Sequence, residues 1–241
     1  MNKLRILLAD DHEVVRHGMK VILQARSDWE VCGEARDGMQ AVAMTAQLGP
    51  DIVVMDLCMP NLNGLEATRE IIWKDPQRKV LVVTLTDNDQ VIRAALEAGA
   101  RGFVLKSDAA RDLVSAIESP QQDSTFFTPR MRGMVLDSGT QPQVKLRRLT
   151  SRERQIVQLL AEGKSSKDVA IILDLSVKTV ETHRANILRK LKLHSVVELV
   201  LYALQDNIVM LHQFDSDVGA TSVHHGLGGR GGDSEQRSTA P

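Results

Sequence analysis

Three carboxylates, a hydroxyl and an ammonium recur at one kind of place in the first half of the chain: the end of a short apolar run. "LRILLA" leads into Asp10 and Asp11, "DIVVMD" closes on Asp56, "KVLVVTL" carries Thr84, and "ARGFVLK" closes on Lys106. A buried charge is costly unless it is paired, metal-bound or held at a solvated rim. Carboxylates gathered at one rim repel one another unless a cation joins them, and an all-oxygen cluster favours a hard ion such as Mg²⁺. With such an ion and Lys106 nearby, the Asp56 carboxylate is a candidate nucleophile toward a phosphoryl group. Any one of the five alone reads as an ordinary strand-end residue; the set of five does not.

Bringing them together requires a scaffold, and the intervening pattern supplies one. "LRILLA", "WEVCGEA", "DIVVMD", "KVLVVTL" and "ARGFVLK" read as strands. Helical patterns lie between them at roughly 13–26, 38–48, 64–74, 88–98 and 108–118. Short apolar strands alternating with helices predict an α/β doubly wound, five-stranded parallel sheet covered on both faces. "WEVCGEA" is the most edge-like. In such sheets ligands bind outside the carboxyl ends of the strands, where all five side chains are placed. Pro120 cannot donate a helical hydrogen bond, so the fifth helix is expected to end near Glu118 and give way to a polar loop. A short helix is expected from Pro129.

The segments "LLADDH", "MDLCMPNLNG", "VVTLTD" and "GARGFVLKSD" resemble the receiver domain of bacterial response regulators, a flavodoxin-like fold, over roughly residues 3–118. The resemblance implies that Asp56 accepts a phosphoryl group from a partner histidine kinase. It implies Mg²⁺ held by Asp11, Asp56 and the backbone carbonyl of Cys58, with Asp10 acting through water. Lys106 would hold the phosphoryl oxygens, Thr84 would move to bond them, and Phe103 would follow Thr84 inward.

The second half changes period and charge. Residues 1–119 carry 18 acidic and 14 basic side chains, a balance of −4, whereas residues 145–211 carry 12 basic and 7 acidic ones, a balance of +5. A basic module joined to an acidic one predicts that only the second meets a polyanion. Thr150 with Glu153 forms a capping-box pattern before "RQIVQLLAEG", where Gly163 is a natural stop. "SSKDVAIILDL" is a second helix, Ser176 caps a third, "VKTVETHRANILRKLKL", and Ser195 with Glu198 opens a fourth by another capping box. Four helices with the tight "LDLS" connection predict an all-α helix-turn-helix domain. On the third helix, Val180, Ile187 and Leu191, with His183 alongside, form an inner stripe. Lys178, Glu181, Thr182 and Ala185 face away, flanked by Arg184, Arg189 and Lys190.

"LTSRERQIVQLLAEGKSSKDVAIILDLSVKTVETHRANILRKL" resembles the DNA-binding domain of LuxR-type regulators, and the chain as a whole is similar to the NarL/FixJ class of response regulators. That resemblance implies base-edge contacts from Lys178, Thr179, Glu181, Thr182 and Ala185. Phosphate contacts would come from Arg184, Arg189 and Lys190, with Lys164 and Lys167. The expected layout is a receiver over 1–119, a linker with a short helix over 120–148, the helix-turn-helix domain over 149–211 and a disordered Gly/Ser-rich tail over 212–241.

Other classes fit less well. No run approaches the length of a membrane span, and "MNKLRILLADDH" meets two aspartates too soon for a signal-peptide core, which predicts a cytoplasmic protein without membrane contact. Aromatic residues are only 3%, too few for single-strand stacking platforms. Cys32 and Cys58 read as packing residues. An aspartyl-phosphate phosphatase would want a second carboxylate two positions after Asp56, where Cys58 stands, so the chain is not expected to be an enzyme. A regulator indifferent to phosphorylation would not need the five-residue set. The expected behaviour is a homodimer when phosphorylated or bound to double-stranded promoter DNA. In the resting state the receiver would cover the helix-turn-helix module or keep it from dimerising, and phosphorylation would draw Thr84 and Phe103 inward and free the recognition helix.

Overall fold

The structure is a computed structural model; it describes residues 3–85, 88–121, 126–127 and 149–209. The first domain is a parallel sheet flanked by five helices: β1 (Leu4–Ala9), α1 (Glu13–Gln24), β2 (Trp29–Ala35), α2 (Gly38–Leu48), β3 (Ile52–Asp56), α3 (Gly64–Lys74), β4 (Lys79–Thr84), α4 (Asp89–Glu97), β5 (Gly102–Leu105) and α5 (Ala109–Gln121). The strand order is β2-β1-β3-β4-β5, followed by the two-residue β6 (Phe126–Phe127), every neighbouring pair parallel, with "WEVCGEA" at one edge. The period-two alternation sorts the core. Ile6, Leu8, Ile52 and Val54 face one way, onto Leu23 of α1 and Leu113 and Ile117 of α5. Leu7, Val53 and Met55 face the other, onto Ala41 of α2 and Ala67 and Ile71 of α3.

Two findings differ from the sequence expectations. β6 (Phe126–Phe127) adds a sixth, two-residue strand beside β5, where a polar loop was expected; the free edge of β5 gives even a short extended stretch a row of hydrogen-bonding groups to join. Helix α5 also continues through Pro120 to Gln121 rather than ending near Glu118. Near a helix end proline forfeits one hydrogen bond, while its φ of about −65° stays helical. The expected helix at Pro129, most of the linker over 120–148 and the tail over 212–241 lie outside the described residues.

The second domain holds four helices: α6 (Ser151–Ala161), α7 (Ser166–Ile172), α8 (Val177–Leu191) and α9 (Val196–Gln205). Thr150 and Glu153 form the full capping box of α6, and Gly163 leaves the helix with φ +81°. Ser165 and Asp168 close a second box on α7. At α9 only half of the expected box forms: Ser195 accepts from the Glu198 N–H, but the Glu198 carboxylate turns to the N–H of His194 at 2.7 Å. Leu149, Ile156, Leu159, Leu160, Val169, Val180, Ile187, Leu199 and Ala203 form the core that fixes α7 against α8 as a helix-turn-helix pair.

Candidate phosphorylation and DNA-binding sites

β1 and β3 are adjacent, so their carboxyl ends deliver Asp10, Asp11 and Asp56 to one place, and β5 brings Lys106 beside them. One ligand atom each from Asp10, Asp11, His12 and Asp56 lies within 4.8 Å of the others. Lys106 Nζ stands 2.8 Å from Asp10 Oδ2 and 2.9 Å from Asp56 Oδ2. Thr84, at the end of β4, is fully buried, and Phe103 is 1% exposed. Thus the structure brings together Asp10, Asp11, Asp56 and Lys106, with Thr84 buried at the end of the strand between β3 and β5.

The electrostatics follow from burial. Desolvation is the largest influence on Asp56; Lys106 opposes it, Asp10 adds repulsion, and the carboxyl is pushed up to about 6 from its ordinary 3.8. Burial works against the charge on Lys106, but Asp56 and Asp10 outweigh it and hold the ammonium above its ordinary range. The ammonium alone does not satisfy the cluster: Asp56 Oδ1 is buried and accepts no hydrogen bond. An oxygen-rich cluster with an orphaned buried carboxylate oxygen is what a hard divalent cation needs, so the residues fit Mg²⁺. Cys58, whose carbonyl the resemblance offers as a ligand, is buried just after the strand, and burial pushes its thiol up to about 12, which keeps it inert.

Two neighbours escaped the sequence reading. His12 Nδ1 lies 2.8 Å from Asp11 Oδ1, and the backbone N–H of His12 donates to Asp10 Oδ1 at 2.8 Å. Arg16, 4% exposed, donates to the Asp10 carbonyl at 2.7 Å and pairs with Glu34 at 3.1 Å. Their spacing from Asp10, two and six residues, was the available signal. Backbone shape matters as much as charge: a Cβ on Gly64 would lie 1.9 Å from the Asp56 carbonyl oxygen, so only glycine lets α3 start against the end of β3. An open cavity of about 510 Å³, lined by Leu4, Asp51, Asp75 and Arg78, lies where β1, β3 and β4 begin, at the opposite end of the sheet from the carboxylates.

On α8 the stripe and the outer face separate as expected. Val180 and Ile187 are buried; Lys178, Glu181, Thr182, Ala185 and Arg189 are exposed, as are Lys164 and Lys167 beside and on α7. Thr179 and Arg184 are half-buried. Some of these groups already have partners. Lys190 pairs with Glu153 at 2.6 Å and braces α8 on α6, while Thr179 bonds the Ser176 cap at 2.8 Å. The Thr182 hydroxyl donates to the Lys178 carbonyl at 2.8 Å.

The expected resting arrangement differs from this one. Here Phe103 is buried, and Lys178, Glu181, Thr182 and Ala185 on the outer face of α8 are exposed among the described residues. The receiver instead meets the second domain through α6 and the end of α9. Arg154 lies 3.6 Å from buried Glu66 of α3 and 2.9 Å from Asp206.

Comparison with known proteins agrees with both halves. Residues 6–118 match the response regulator receiver domain, and residues 147–203 match the bacterial regulatory proteins of the luxR family. Response regulator protein VraR of Staphylococcus aureus is 35% identical over 206 residues, 86% of this chain and 99% of its own. A crystal structure of a LuxR-family two-component response regulator from Aurantimonas sp. SI85-9A1 is 35% identical, with a TM-score of 0.54 over 56% of this chain and 97% of that one. A structure of two RcsB dimers bound to two parallel DNAs is 25% identical, with a TM-score of 0.53 over 85% of this chain and 99% of that one. No helix among the described residues is long and apolar enough to cross a membrane. A carboxylate rim in a parallel sheet, joined to a basic helix-turn-helix, therefore belongs to a two-component response regulator of the LuxR family, with a receiver domain and a LuxR-type DNA-binding domain.

Proposed function

We propose that the chain is a transcriptional switch operated by phosphorylation of Asp56, with a histidine kinase as donor and promoter DNA as target. The observation that carries this reading is the Asp56 carboxylate, buried beside Lys106 and Asp10 with one oxygen accepting no hydrogen bond. That oxygen attacks the phosphorus of a phosphohistidine; a P–O bond forms, the P–N bond breaks, and the imidazole nitrogen keeps the electron pair. Asp10, Asp11, Asp56 and the Cys58 carbonyl would hold Mg²⁺, which supplies charge neutralisation for the incoming phosphoryl oxygens. Lys106 pairs with a phosphoryl oxygen and Thr84 donates its hydroxyl to another. Phosphorylation then works by population: it favours the conformer with Phe103 inside.

The read-out lies on α8. Lys178, Glu181, Thr182 and Ala185 meet base edges in a major groove, and Arg184, Arg189, Lys164 and Lys167 meet phosphates. Lys190, engaged with Glu153, contributes as a brace for α8 as well as a charge. Val197 and Leu201 are 69% and 53% exposed, one turn apart on α9, and fit a second copy of the chain across a two-fold axis. Sedimentation of phosphorylated Leu201→Glu checks that assignment; a persistent dimer would refute it. The layout expected from the sequence, with a receiver at 1–119 and a DNA-binding domain at 149–211, is retained, as is a cytoplasmic, non-enzymatic role.

The test combines two steps. Intact mass is measured before and after acetyl phosphate and Mg²⁺ on wild type and Asp56→Asn, and each sample is then used to select from random-sequence DNA. One adduct on wild type alone, with enrichment that depends on it, supports the switch. Strong enrichment without an adduct would leave the receiver as a dimerisation scaffold.

A further inference from the structure

The loop from Leu57 to Asn63 leaves β3 immediately after Asp56, and the second domain grips it through a side chain in the apolar run "IVQLL". Gln158 of α6 is fully buried, and Asn63 is 4% exposed. Gln158 Nε2 donates to the Met59 carbonyl at 3.0 Å and to Glu162 Oε1 at 2.7 Å. Its Oε1 accepts from the Asn63 N–H at 2.8 Å. Only this orientation of the amide serves a carbonyl and an N–H together. Asn63 Nδ2 in turn donates to the Ile208 carbonyl, beyond α9, at 2.8 Å, while its Oδ1 caps α3 through the Glu66 N–H at 2.9 Å. Each amide thus has both its oxygen and its nitrogen engaged, across 95 and 145 residues of sequence. A buried polar network of this kind rigidifies what it joins, because any member left unpaired is costly.

What it joins is the loop that includes the Cys58 carbonyl. On one side of that peptide, the Leu57 carbonyl accepts from the Gly64 N–H at 3.0 Å. On the other side, the Met59 carbonyl accepts from Gln158. Pinning both flanking carbonyls limits how far the peptide between them can rotate. Meanwhile the contact leaves the outer face of α8 and the Val197–Leu201 stripe uncovered, so it masks neither surface used in the proposed read-out.

We infer that Gln158, a residue of the DNA-binding domain, is a positioning residue of the receiver's metal site: with Asn63 it holds the Met59–Asn63 loop so that the Cys58 carbonyl faces the Asp10–Asp11–Asp56 cluster. This rests on the proposed Mg²⁺-dependent phosphorylation and deepens it, because the phosphorylation site is then completed by both domains. Such coupling is reciprocal. Loading the site with Mg²⁺ stiffens the domain arrangement, and docking of the second domain tightens Mg²⁺.

The test uses the full chain as wild type, Gln158→Leu and Asn63→Asp. The first keeps the volume and removes the amide; the second keeps the helix cap and removes the donor to Ile208. Mg²⁺ affinity is measured by calorimetry, and phosphoryl uptake from acetyl phosphate by intact mass across a Mg²⁺ series. Outer-shell partners of metal ligands are typically worth about tenfold or more in affinity, so Gln158→Leu is expected to bind Mg²⁺ roughly tenfold more weakly. Asn63→Asp is expected to bind more weakly by a smaller factor. Both should label more slowly at low Mg²⁺ and recover the wild-type rate at saturating Mg²⁺. A contact that only glues the domains together would lower the melting temperature and leave the Mg²⁺ affinity in place, which would overturn the inference. Should Gln158→Leu fail to fold by circular dichroism, Asn63→Asp decides by the same criterion. Failure of wild type to take up a phosphoryl group would sink the proposed function instead, while the Mg²⁺ titrations would still judge the positioning role.

Discussion

The rim of the receiver and the outer face of α8 are both polar sites, and they are built in opposite ways. At the rim, four strands each deliver one or two groups; Asp10, Asp56 and Thr84 are removed from water, and every charge is felt by its neighbours. On α8 a single helix carries Lys178, Glu181, Thr182 and Ala185 into solvent, where side chains act almost independently. Burial makes a carboxylate responsive to one added ion or phosphoryl group, since electrostatic interactions strengthen as water is excluded. Exposure keeps the proposed base-reading groups accessible to a partner that brings its own charge. A chemical change belongs in the first setting and a reading surface in the second.

The contrast can be tested by substitution. The largest effect is expected at Asp56: Asp56→Asn should abolish the phosphoryl adduct in the mass spectrum, and a remaining stoichiometric adduct would move the site elsewhere. Next come paired substitutions of lysine. Lys106→Met leaves Asp10 and Asp56 without their ammonium and should destabilise the metal-free chain by roughly 3 kcal/mol in urea unfolding. Lys178→Met, at an exposed position, should change stability by less than about 0.5 kcal/mol. It should nevertheless cost ~1–3 kcal/mol of discrimination against altered bases, read from operator variants. Equal effects of the two on stability would remove the distinction between the sites.

The rim should also register pH. Asp56 titrates at about 6 in the folded chain against an ordinary 3.8. Between those values the folded chain binds a proton that the unfolded chain has lost, so its stability falls as pH rises through that window. In EDTA, Asp56→Asn should therefore gain stability over wild type by roughly 1–3 kcal/mol at pH 7.5 and by much less at pH 4. A gap independent of pH would mean that Asp56 titrates normally. The smallest expected effect is at Arg189: its replacement by alanine should weaken binding to all sequences alike and flatten the salt slope by about 0.9.

Much of this is legible in the order of the residues alone. Asp56 announces itself because "DIVVMD" is apolar up to a carboxylate, and Thr150 with Glu153 marks a helix start by spacing alone. The period of α8 separates Val180 and Ile187 from Lys178 and Thr182. What escapes depends on distance in sequence or on competing local rules. Gln158 reads as a polar interruption of "IVQLL", and nothing local indicates that Met59 and Asn63, 99 and 95 residues away, are its partners. Pro120 reads as a helix stop, though proline near a helix end forfeits only one hydrogen bond. Phe126 and Phe127 join the sheet because β5 offers an edge, a property of the tertiary fold and not of the dipeptide. Lys190 reads as a phosphate contact from its place on the helix, and its pairing with Glu153, 37 residues earlier, is not visible from there.

Chemistry at the buried rim is proposed to govern the exposed helix. The affinity of full-length protein for a selected operator, measured by fluorescence anisotropy at fixed salt with and without quantitative phosphorylation of Asp56, decides this. Phosphorylation is expected to tighten binding at least about tenfold, within the usual range of allosteric coupling, and Asp56→Asn to stay at the unphosphorylated value. Equal affinity for both forms of the wild-type protein would contradict it.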